Sequence, residues 1–142
     1  MATSTRSGSG FTVEERAAMK ERAKELKVAQ SKEADVASVL EKIEGFSDTD
    51  RAIATAVHEI ATKDVGGLDA RLWYGSPAYY KDGRLICFFQ DSSKFKTRYS
   101  TLGFSDNAQL DDGAMWPTSY ALVKLTPTDE ARIVDLVRRA AG

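Results

Sequence analysis

The segment Lys94-Phe95-Lys96-Thr97-Arg98-Tyr99 holds the side chains of this chain best spaced to bind a ligand. Read as a strand, alternation puts Lys94, Lys96 and Arg98 on one face and Phe95, Thr97 and Tyr99 on the other. Three cations in a row on one sheet face repel one another, and a bound anion relieves that repulsion. Arg71 and Arg84 fall in the neighbouring predicted strands, and the rings of Trp73, Tyr74, Tyr79 and Tyr80 stand close by in sequence. Together these residues predict a shallow, aromatic-lined surface for a small anion or a phosphorylated metabolite. The competing reading is an edge strand that its charges guard against aggregation.

Other chemistries find fewer residues. His58 and Cys87 are the single histidine and the single cysteine. His58 borders a predicted apolar helix stripe, and Cys87 shares a predicted strand face with Leu85 and Phe89, where burial makes a thiol inert. One histidine and no nucleophile turn leave no Ser-His-Asp arrangement. Zinc-ligand spacing is absent. The one Gly-x-Gly, Gly8-Ser9-Gly10, follows no strand and is no phosphate loop. Asp106, Asp111 and Asp112 have the flavour of a hard-cation loop, but without the calcium-loop spacing or its closing glutamate. Catalytic residues are therefore not assigned, and a non-enzymatic protein is expected.

Composition narrows the class further. At 142 residues with 42% hydrophobic side chains, one soluble domain with its own core is expected. The net charge of −1 supplies no field toward nucleic acid or a membrane surface, so no nucleic-acid partner is expected. No run of about 18 apolar residues is present to span a bilayer. A lone cysteine cannot close an internal disulfide, so nothing calls for an oxidising compartment and the cytoplasm is the default location. Residues 1–11, rich in Ser, Thr and Gly, read as a disordered tail.

The elements that position these side chains follow from periodicity. Thr12-Val13-Glu14-Glu15 is a capping box that opens a charged surface helix to about Lys27. Val36, Val39, Leu40 and Ile43 predict a second helix that stops at Gly45, placed in the left-handed region. Ser47 caps a third, whose stripe is Ile53, Ala54, Val57, Ile60 and Ala61. The period then drops to two. Strands are predicted at Leu68–Tyr74, Ala78–Lys81, Arg84–Gln90, Lys94–Thr101 and Thr118–Leu125. Gly75-Ser76-Pro77 reads as a bulge or strand start, and Asp82-Gly83 as a hairpin turn. Thr126, Pro127 and Asp129 cap a last helix with a stripe of Ile133, Val134, Val137, Ala140 and Ala141. Short turns allow only antiparallel pairing. The fold class is α+β, a two-layer sandwich of helices on an antiparallel sheet. The expected organisation is tail 1–11, helical extension 12–30 and α+β domain 31–142.

Tyr74-Gly75-Ser76-Pro77-Ala78-Tyr79 resembles the Tyr-Gly-x-Pro-x-Tyr motif of the YdhG-like family of small bacterial proteins, a domain of unknown function. Lys81-Asp82-Gly83-Arg84, the apolar strand Leu85–Phe89 and Lys94-Phe95-Lys96 fit it too. The resemblance covers about residues 34–142, with the first helix as an extension. It implies a secretion-chaperone-like α/β domain without enzymatic activity. Some members are described as frataxin-like intracellular iron chaperones, so the resemblance also brings iron as a ligand. Here the acids Glu14, Glu21, Glu25, Glu41 and Glu44 are interleaved with lysines and arginines, and no iron ligand is carried over by residue. A third reading is a structural or partner-binding homodimer. Strand Arg84–Gln90 is apolar on both faces, and helices can cover only one of them.

Overall fold

A computed structural model describes residues 12–142. The expected tail, residues 1–11, lies outside the described residues. The chain divides into two compact units, Met1–Ala34 and Asp35–Gly142.

Helix α1 runs unbroken over Val13–Glu44, where two separate helices were expected. The residues between the two predicted stripes, 28–35, contain neither Gly nor Pro, so nothing ends the first helix. The capping box is formed: Glu15 N donates to Thr12 Oγ1 (3.1 Å) and Thr12 N to Glu15 Oε1 (3.2 Å). In the first unit every residue of Val13–Ala34 is exposed. In the second, Val39 and Ile43 of the same helix are buried. Gly45 follows the helix but does not take a positive φ, contrary to expectation. Its N–H instead closes a tight final turn onto Lys42 O at 3.1 Å.

Helix α2, Asp48–Glu59, begins where Ser47 Oγ accepts from Asp50 N. It passes into a π-helical turn, Ile60–Asp64, closed by Val65 N donating to Ile60 O (2.8 Å). The expected stripe of Ile53, Ala54, Val57, Ile60 and Ala61 is buried. Five strands follow: β1 Asp69–Trp73, β2 Ser76–Lys81, β3 Arg84–Gln90, β4 Ser100–Phe104 and β5 Ser119–Leu122. All neighbours pair antiparallel, in the spatial order β1-β2-β3-β4-β5. A single turn of helix, α3 Ser92–Phe95, separates β3 from β4. Helix α4, Pro127–Ala141, carries the expected capping box of Thr126 and Asp129. Two of its expected stripe residues, Val134 and Ala141, are partly buried, and Leu136 is buried in addition.

The second unit is thus an α+β fold, with helices packed on a five-stranded antiparallel sheet. One core joins Val39, Val57 and Val137 from the helices to Tyr79, Cys87, Phe89 and Leu102 from the strands. Phe46 meets Phe89 with ring centroids 5.7 Å apart. Lys81 Nζ donates to Ala141 O (2.8 Å), fastening β2 to the last turn of α4. Ala78, Tyr80, Trp73 and Phe88 stand outside this core, on the opposite face of the sheet.

Candidate functional site

Two hairpins in succession build the sheet face turned away from the core, free of helices within the second unit. Trp73 pairs with Ser76, leaving Tyr74 (φ 49°) and Gly75 (φ 77°) as a two-residue loop. Lys81 pairs with Arg84 around Asp82 (φ 51°) and Gly83 (φ 79°). Both loops put both central residues in the left-handed region, as a type I′ turn needs. The expected Asp82-Gly83 turn is there. Of the readings open for Gly75-Ser76-Pro77, the strand start holds and the bulge does not: Ser76 and Pro77 begin β2, and Pro77 pairs with Leu72. The register shift falls instead between Tyr79 and Tyr80, where Ile86 of β3 is the extra residue.

On β2 itself the alternation is regular and separates the two tyrosines. Tyr79 pairs with Cys87 and faces the helices, and Tyr80 pairs with Leu85 and faces away. On the helix-free face Trp73 packs on Phe88 (centroids 4.7 Å) and meets Tyr74 edge-on (5.1 Å, 82°). The Arg71 guanidinium lies 4.4 Å from the centre of the Tyr80 ring. Phe88 can lie down because its partner on β4 is Gly103: a Cβ there would come within 2.3 Å of the ring. The result is a strip of rings, Tyr74–Trp73–Phe88, beside a stacked Arg71–Tyr80 pair.

Lys94, Lys96 and Arg98 do not form a row on a strand. Asp91 caps α3 by accepting from Lys94 N (3.0 Å), and Lys96 ends that turn with φ 54°. Buried Asp50 holds the turn from α2, accepting from Ser92 N (2.9 Å) and Ser92 Oγ (2.8 Å). The Asp-Ser-Ser segment read as a plain turn is therefore a helix cap, and strand pairing waits until Ser100. Lys94 Nζ donates to Tyr74 O (2.8 Å), beside the ring strip. Arg98 lies over its own neighbour Tyr99. Neither Lys96 nor Arg98 makes a hydrogen bond, ion pair or cation–π contact with the strip among the described residues.

Of the seven expected site residues, Trp73, Tyr74 and Tyr80 therefore gather at this face, and Lys94 reaches the tip of its first hairpin from a hollow shared with Phe46 and Leu72. Tyr79 sits fully buried on the other face, sharing a 3.0 Å hydrogen bond with His58 Nδ1. Burial pushes the Tyr79 hydroxyl up and the His58 imidazole down, so both stay neutral near pH 7. Burial likewise pushes the Cys87 thiol up to about 12. Phe88 was not legible as a site residue, because an apolar run has no alternation from which to assign a face. Asp106 and Asp111 line a shallow hollow beside Met115. Among the described residues no three His, Cys, Asp or Glu side chains come together as a metal group.

Tyr74 breaks a local rule. Type I′ turns favour Asn at that position: any β-carbon in the left-handed region costs about 1–2 kcal/mol, and the short Asn amide offsets part of that by bonding the local backbone, which a tyrosine ring does not. The ring is 84% exposed, so core packing does not compensate that cost. Tyr74→Asn is expected to raise stability by about 0.5–1 kcal/mol in urea denaturation. An unchanged or lower midpoint would show that the ring's contact with Trp73 outweighs the turn strain.

No family model, no curated protein and no solved structure matches the chain. Among the described residues no helix is long and apolar enough to cross a membrane.

Proposed function

We propose that this is a non-enzymatic binding protein whose working surface is the helix-free sheet face. Its ligand is a small anion with a flat body: the anionic group meets Arg71, and the body lies against Trp73, Tyr74 and Phe88. The observation that carries this reading is the surface itself. Three partly or largely exposed rings and an exposed guanidinium stand where a solvent-facing sheet normally alternates in charges and hydroxyls. An aromatic strip beside a cation stacks planar groups without reading their edges. The single cysteine, Cys87, and Tyr79 are closed into the core on the other side, so neither side chain reaches a ligand bound on this face. The motif that resembles the YdhG-like family, Tyr74 to Tyr79, lies in the first hairpin of this face and shares Tyr74 with the surface.

A thermal-shift panel of nucleotides and sugar phosphates tests the reading. A compound that raises the wild-type midpoint is expected to bind at least about tenfold more weakly to Arg71→Glu and to Trp73→Ala, the loss of one charge-assisted or stacking contact. A shift retained by both variants would refute this site.

The same rings favour a second reading, a homodimer that buries the strip between two copies. Sedimentation at micromolar concentration discriminates the two: a monomer whose state is unaltered in Trp73→Ala counts against the dimer.

A further inference from the structure

The two edges of the sheet are not alike. Edge strand β1 carries Asp69 and Arg71, charges of the kind that discourage another strand from adding. Edge strand β5, Ser119-Tyr120-Ala121-Leu122, has no charge, no proline and no register shift against β4. Its one guard is its length of four residues; charge, proline and bulge are all missing. Phe104 N donates to Thr118 O (2.8 Å), which sets the alternation along the strand. Residues 118, 120 and 122 bond to β4, and the N–H and C=O groups of Ser119 and Ala121 point to the open edge. Val123, next in line, is 64% exposed.

Behind this edge lies a groove of about 290 Å³ between β5 and α4. Its floor is apolar, from Leu102, Leu122, Ile133 and Leu136. Its rim is basic. Lys124 and Arg132 stand there, with Arg132 over the Tyr120 ring at 5.6 Å. The rim's one carboxylate, Asp129, is a cap, accepting from Thr126 N (3.0 Å) and Thr126 Oγ1 (2.8 Å); it also feels the Arg132 charge, so the rim holds two cations against one carboxylate. A thinly guarded edge, an apolar groove along it and two cations above it are the parts of a strand-addition site, in which main-chain bonds supply affinity and alternate side chains fill the groove.

We propose that β5 and the β5–α4 groove take an extended acidic peptide as a sixth strand. Its apolar residues point into the groove and an Asp or Glu meets Lys124 and Arg132. This site is separate from the ring face and does not depend on it. The charge decides between occupants: a second copy pairing through β5 would bring its own basic rim, whereas an acidic strand complements it.

The probe is a random heptapeptide library displayed on phage and selected against the full chain. Enriched peptides are expected to alternate apolar and acidic residues, and to shift the amide signals of Ser119, Ala121 and Val123. Binding should weaken at least about tenfold in Ala121→Pro, which removes an N–H that β4 does not use and so leaves the sheet intact. Arg132→Glu, a surface change on α4, should weaken it similarly, and Arg71→Glu should leave it unchanged. The proposal is overturned by a selection that enriches nothing. It is equally overturned by peptides that bind wild type, Ala121→Pro and Arg132→Glu alike, or by a dimer of the chain that Ala121→Pro abolishes.

Discussion

Gly103→Val is expected to destabilise the protein by about 2–3 kcal/mol, the upper range for forcing atoms into a packed site. Gly103 does not have a positive φ, so its backbone conformation suits any residue, and valine is a good strand former. The obstacle is space. A Cβ at this position would lie 2.3 Å from Cζ and 2.5 Å from Cε2 of Phe88. These atoms are the far end of a side chain, but the ring that carries them packs on Trp73, with centroids 4.7 Å apart. The ring must lift, and the strip loses its flat course. The cause is checked by repeating the substitution in a Phe88→Ala background, with stability read from urea midpoints. With the ring gone, most of the penalty should vanish, giving a coupling of about 1–2 kcal/mol. An equal penalty in both backgrounds would mean that the strain lies in the backbone and not in the ring.

Tyr79→Phe is the second large effect. The substitution keeps the ring and deletes one hydroxyl, so it leaves no hydrophobic cavity. It does leave His58 Nδ1 buried without its 3.0 Å partner, at a cost of about 1–3 kcal/mol. Replacing both partners, as His58→Leu with Tyr79→Phe, should recover much of that loss, because no buried polar atom is then stranded. Failure of the double variant to recover would place the cost in packing. The pair also sets a pH dependence. Burial lowers the His58 pKa below its ordinary 6.5, with Glu59 opposing and Lys63 assisting. The unfolded chain then takes up a proton at His58 before the folded one does. The His58 contribution is therefore fully present above pH 6.5 and is lost as pH falls from 6.5 through the lowered folded value. A His58→Leu variant should show a flatter stability profile across that window. An identical slope in wild type and variant would show that His58 titrates alike in both states.

How much of this was legible depended on the kind of signal. Capping chemistry at Thr12, Ser47 and Thr126 is local, and those helix starts appear where the side chains put them. The Asp82-Gly83 turn and strand Arg84–Gln90 were legible for the same reason. Tyr74-Gly75 was not, since tyrosine is a poor residue for a left-handed turn and Pro77 drew the break to itself. The cation row misled because Asp91-Ser92-Ser93 can turn a chain or cap a helix, and the choice is made by Asp50, 42 residues away from Ser92. Local alternation cannot see such a contact. Ile86 and Cys87, neighbours on β3, both enter the core through the register shift at Ile86, so Leu85 does not share the face of Cys87 and Phe89 as expected; a run of apolar residues conceals such a shift. The helix-free face thus emerged with fewer of the expected cations, and with Arg71 and Phe88 in their stead.

The central claim is that this face is where the protein binds. Its most direct test is an amide-proton NMR titration of the whole chain against the nucleotide and sugar-phosphate panel. The account predicts that a binding compound moves the signals of Arg71, Trp73, Phe88 and Gly103 together, and leaves those of His58 and Val137, on the helix side, in place. A panel that moves none of the four, or moves only helix-side signals, would contradict it.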